Sequence, residues 1–88
     1  MSTSREQAIN AIHTERNYQD VKYPGTRPLG EHVKLVQVYA QKLSRPGVDQ
    51  LDVMREVAGI ATRALEEHGA PMRPISGTMD IKDFGDRL

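Results

Sequence analysis

A chain of 88 residues has room for one small domain, and with no cysteine and no tryptophan it lacks both a disulfide brace and the largest core side chain. Twelve Lys and Arg balance twelve Asp and Glu, and a formal net charge of zero argues against a general nucleic-acid binder, because such proteins carry a basic excess. No apolar run approaches the roughly 18 residues that span a bilayer, and Met1 to Glu6 lack the apolar core of a signal peptide, so a cytoplasmic location is expected.

The first predicted helix opens on two overlapping capping signals, Thr3-x-x-Glu6 and Ser4-x-x-Gln7. It runs to about Val21, ahead of the breaker stretch Lys22-Tyr23-Pro24-Gly25-Thr26-Arg27-Pro28. Ala8, Ile9 and Ile12 mark its apolar stripe, and the same stripe continues through Arg16 and Gln19 toward Tyr23. A stripe that begins apolar and turns polar predicts that the helix end lines a pocket or an interface. Arg16 and Asp20 are spaced to pair on the helix surface. With Lys22, Tyr23 and Arg27 close behind, the region offers the cationic, amide and aromatic groups that suit a phosphate with a stacked base.

The second helix is expected from just after Pro28 to near Leu43. Leu29, Val33, Val36, Ala40 and Leu43 form its stripe, widened by Leu35 and Tyr39, with Val38 on the opposite, charged face. The short link Ser44-Arg45-Pro46-Gly47 predicts an antiparallel hairpin with the third helix. That helix starts at the N-cap Asp49 and stops at His68, with Gly69 in the usual terminating position. Leu51, Val53, Met54, Val57, Ala58, Ile60, Ala61, Ala64 and Leu65 fill one half of its helical wheel. Asp52, Arg55, Glu56, Gly59, Arg63, Glu66 and Glu67 fill the other. An apolar arc this wide predicts a central helix that buries it against both neighbours or a second subunit.

The expected fold is therefore all-α: a three-helix bundle built around a helical hairpin over residues 1–69. An irregular extension over 70–88 would pack on the bundle or on a neighbouring subunit. The only aromatics are Tyr18, Tyr23, Tyr39 and Phe84. So thin a core predicts self-association, as a dimer or larger homo-oligomer.

Little in the chain points to chemistry. His13, His32 and His68 are scattered, and no His-x-x-x-His or Glu-x-x-His pair could hold a metal from one helix. All-helical nucleotide pyrophosphohydrolases need Glu-x-x-Glu and Glu-x-x-Asp pairs for magnesium, and no such glutamate pair occurs. Cysteine nucleophile, Gly-x-Ser-x-Gly turn and Walker loop are missing as well. Binding without catalysis, and without cofactor or metal, is the expectation.

Two stretches carry a resemblance. Glu15-Arg16-Asn17-Tyr18-Gln19-Asp20-Val21-Lys22-Tyr23 resembles the Glu-Arg-x-Tyr-Gln-Asp-x-Lys-Trp/Tyr opening of many small bacteriophage and prophage proteins. Glu56-Val57-Ala58-Gly59-Ile60-Ala61, then Ala64-Leu65-Glu66-Glu67-His68-Gly69-Ala70-Pro71-Met72-Arg73, is similar to their Ala-rich helix ending in His-Gly-x-Pro-x-Arg. With Leu29-Gly30-Glu31 between them, the likeness covers roughly residues 9–73. It implies a viral origin, action in the host cytoplasm, and a role in binding, since small phage proteins often act against host defences as sponges or inhibitors. The leading expectation is sequestration of a small anionic ligand, a nucleotide immune signal, between subunits. Arg16, Lys22 and Arg73 would meet phosphates, Tyr18 or Tyr23 would stack on a base, and Gln19 would bond its edge. The alternative is an inhibitor or adaptor that binds a host protein through the same surface.

Overall fold

The computed structural model describes residues 4–74 as three α-helices without a strand. Helix α1 spans Arg5–Lys22, α2 spans Leu29–Gln41, and α3 spans Gln50–His68, with a single 3-10 turn at Lys42–Ser44 closing α2. The second of the two capping signals is the one used. The Ser4 hydroxyl accepts from the Gln7 amide at 3.1 Å, and the Ser4 amide donates to Gln7 Oε1 at 3.0 Å. At α3 the Asp49 carboxylate accepts from the Asp52 amide at 3.2 Å, a cap of the kind worth about 1 kcal/mol. Gly69 ends α3 at φ 117°, where a side chain would be strained. The proposed packing of the C-terminal extension rests on residues 75–88, which lie outside the described residues; residues 70–74 are exposed.

Helices α2 and α3 form the expected antiparallel hairpin. His32 near the start of α2 reaches Glu67 near the end of α3, while the Leu43 carbonyl accepts from Gln50 at the other end. Helices α1 and α2 both pack on α3 and stay apart from one another. The central role of α3 is thus as predicted, but its orientation is not. Val53, Gly59, Ile60 and Arg63 are its buried residues, whereas Leu51, Met54 and Leu65 are 83%, 56% and 47% exposed and Ala61 is also exposed. The buried face is turned roughly a third of a turn from the centre of the apolar arc. On α2 the inward residues are His32, Leu35, Val36 and Tyr39, with Leu43 half-buried in the 3-10 turn, leaving Leu29, Val33 and Ala40 exposed.

The reason lies in α1. Its inward side carries Glu15, Arg16 and Gln19, all buried, and their complements across the contact lie on the polar half of α3. Arg55 Nε donates to Glu15 Oε1 at 3.0 Å, and Arg16 donates to both oxygens of Glu66 at 2.7 Å. Gly59 sits in close contact with α1, since a Cβ there would lie 2.8 Å from Glu15 Cγ and from Gln19 Nε2. A bidentate arginine pair and a glycine-sized gap select a crossing that an apolar contact would not. Among the described residues only Val53 and Ile60 are fully buried hydrophobics.

Candidate functional site

Because α1 and α2 diverge over α3, they leave a groove of about 490 Å³. Tyr18, Gln19 and Glu15 line it from α1, His32, Leu35 and Tyr39 from α2, and Arg55, Glu56, Ile60 and Arg63 from α3. Tyr23 and Arg27 complete it from the connector between α1 and α2. Such a volume suits a small organic ligand. Three tyrosines of the chain meet here, although sequence placed Tyr39 only in the α2 stripe.

The connector owes its position to the C-terminal end of α3. Arg63 donates to the Gly25 carbonyl, the Arg27 amide donates to Glu67 Oε1 at 2.9 Å, and His68 Nε2 donates to the Arg27 carbonyl at 2.7 Å. Both backbone groups of Arg27 are therefore held, which fixes where its side chain emerges. The Arg27 guanidinium itself makes no hydrogen bond or ion pair among the described residues, unlike Arg55 and Arg63 beside it. His68, at the end of α3, thus serves this clamp.

Glu67 is the centre of the clamp. It accepts from the Arg27 amide, from Arg63 Nε at 2.9 Å, and from His32 Nε2 at 3.2 Å, and these bonds hold its carboxyl down at about 2. The backbone hydrogen bond from Arg27 contributes most to that shift. His32 is the most buried side chain, at 1% exposure, and its Nδ1 has no partner among the described residues. His32, Glu67 and His68 place potential ligand atoms within 4.8 Å of one another, an arrangement that spacing along single helices could not reveal. The carboxylate oxygens are already engaged by protein donors, so Glu67 acts as a latch, while His32 Nδ1 keeps no partner among the described residues.

The latch has a pH signature. A carboxyl lowered from 4.5 to about 2 adds stability that is fully present above pH 4.5 and lost as pH falls through 2. Glu66, lowered by its hydrogen bonds from Arg16, acts in the same direction. Glu56, raised by burial, opposes them in part, because its protonation on acidification relieves a cost. The melting temperature should hold from pH 7 to about 5 and then fall steadily. A melting temperature that stays level from pH 5 to about 2.5 would contradict the latch.

The residues singled out from sequence divide into two sets. Tyr18, Gln19 and Tyr23 come together in the groove. Both amide hydrogens of Gln19 are taken, by Glu15 Oε2 at 3.0 Å and the Glu56 carbonyl at 3.3 Å, leaving its oxygen to accept. Arg16 is buried as its stripe predicted and pairs with Asp20 at 2.9 Å. Its remaining donors go to Glu66, so its fork is engaged between α1 and α3, outside the groove lining. Lys22 lies over the Tyr18 ring, 5.6 Å from the centroid, and hydrogen bonding to Tyr18 pushes its pKa up. Arg73 lies beyond α3 on the exposed segment, away from the groove lining. Sequence reading missed Glu15, His32, Arg55, Glu56 and Arg63, whose polar character on helix faces signalled solvent.

No described helix is long and apolar enough to cross a membrane. The chain matches no known protein family, and no curated protein or solved structure is significantly similar to it.

Proposed function

We propose that this protein binds without transforming a small anionic ligand that carries an aromatic ring, a nucleotide signal, and sequesters it in the groove between α1 and α2. The observation that carries the reading is Arg27: its backbone is clamped, its guanidinium has no hydrogen bond or ion pair among the described residues, and it lines the groove together with Tyr18, Tyr23 and Tyr39. A guanidinium engages a phosphate in a forked geometry, and stacking a base on an aromatic ring is worth about 1–3 kcal/mol. Burial pushes the Tyr39 hydroxyl up, so it stays a donor at neutral pH. The Gln19 oxygen and the Glu56 carboxyl supply acceptors for an exocyclic amine. The groove belongs to one chain, so this reading holds the ligand within a subunit rather than between subunits. The likeness to small phage proteins supports sequestration of a host signal as the purpose.

A thermal-shift screen against mononucleotides and cyclic dinucleotides tests the proposal. A ligand at 100 times its dissociation constant stabilises by about 2.7 kcal/mol, on the order of 10 to 20 °C in a domain of this size. Arg27→Ala should keep the fold and weaken binding by about 1.5–3 kcal/mol, tenfold or more. Arg16→Ala, acting through the α1–α3 contact, should lower stability and spare affinity. Loss of binding in folded Arg16→Ala with normal binding in Arg27→Ala would return the site to the helix end. A flat screen, with a host protein recovered by pull-down, would favour the inhibitor or adaptor instead.

A further inference from the structure

We infer that the back of the α2/α3 hairpin, opposite the groove, is a docking face for a second copy of this chain. Leu51, Met54, Ala61 and Leu65 follow one another along α3 at steps of three, seven and four residues, a single stripe of the helix. All four are exposed, and α1 and α2 lie on the other side of α3. On α2, Leu35 and Tyr39 face the groove, and Leu29 and Val33 occupy the opposite flank, 51% and 48% exposed. The two stripes therefore border one surface. An amphipathic helix gains stability by burying its apolar face, and here the packing within one chain buries only one edge of that face, at Val53 and Ile60, with Gly59 and Arg63 of the polar half.

The occupant follows from charge and from the core. The helical positions on this surface hold no Asp, Glu, Lys or Arg, in a chain that is 27% charged. A charged partner would find no complement there, whereas an identical face meets itself across a two-fold axis without repulsion or unpaired polar groups. Within the described residues one chain fully buries only Val53 and Ile60, too little apolar surface for a domain of this length to stand alone. Pairing two hairpins back to back makes a four-helix layer whose centre is the missing core. The ligand grooves then face outward, so the inference stands or falls independently of what they bind.

Light scattering on the full chain at micromolar concentration should give twice the 9.9 kDa chain mass. Val33→Glu and Ala61→Glu should each weaken association by about a hundredfold or more, by placing an unpaired charge in a desolvated contact. Val38→Glu is the control: Val38 is 46% exposed on α2 but off this face, and its mass should stay dimeric. Should the charged variants fail to fold, single cysteines decide, because the chain has none of its own. Met54→Cys or Leu65→Cys should form an inter-chain disulfide under mild oxidation, and Val38→Cys should not. A monomeric wild-type protein would overturn the inference, whether residues 75–88 or another protein covers the face. A dimer that survives both charged variants would overturn it as well.

Discussion

Gly59→Leu should separate α1 from α3 and cost on the order of 3 kcal/mol, because overpacking a closed contact costs about 1–3 kcal/mol or more. Each kcal/mol moves the melting temperature of a domain this size by about 4–8 °C, so the expected drop is at least about 12 °C. Even one methyl group has too little room, with a Cβ 2.8 Å from Glu15 Cγ and 3.2 Å from Gln19 Cδ. Neither side chain yields cheaply. Gln19 bonds Glu15 and the Glu56 carbonyl, and Glu15 also holds Arg55, so a displaced pair strands buried polar groups. Gly30 provides the opposite case. It too is helical, nothing lies within 4 Å of its missing Cβ, and Gly30→Ala should raise stability by up to about 1 kcal/mol through helix propensity alone. The pair Gly30→Ala and Gly59→Ala should shift the melting temperature in opposite directions. Two upward shifts would mean that α1 does not cross at Gly59.

Arg63→Met should cost about 2–3 kcal/mol, or at least roughly 8 °C in melting temperature. Methionine keeps most of the apolar stem while removing a charge whose side chain is only 8% exposed. What is lost is the bond to the Gly25 carbonyl, one of three that fasten the connector to α3, and the bond within α3 that braces Glu67, the acceptor of the Arg27 amide. Glu67 is partly solvated, which places the loss at the lower end of what broken buried pairs cost. The loss should also be local. Hydrogen exchange should rise over residues 23–28 while α3 keeps its protection. With Gly25 released and Glu67 no longer braced by Arg63, the hold on the Arg27 amide loosens, and any ligand affinity should fall with it. A melting temperature within about 2 °C of the parent would show that the clamp is redundant.

Backbone chemistry made the elements readable from sequence. Ser4 and Gln7 close a capping box, Pro24 and Pro28 bracket the connector, Asp49 caps α3 and Gly69 stops it, and each acts on neighbours within a turn of itself. The short α2–α3 link likewise confines the hairpin to one arrangement. Part of the site was legible on the same local grounds, since Arg16 and Gln19 do turn inward, but the apolar start of their stripe does not: Ala8 and Ile9 are exposed and Ile12 is half-buried. Helix rotation was not legible. Hydrophobic periodicity turns the apolar half of α3 inward, but Glu15, Arg16 and Gln19 need Arg55, Glu66 and the gap at Gly59, and those lie on the polar half. Such pairings join residues about 40 to 50 positions apart, and no local pattern in either helix encodes which acid meets which base. The groove was hidden for the same reason. Arg27, Tyr39 and Glu56 come from three segments, and only the packing of α1 and α2 over α3 brings them to one place.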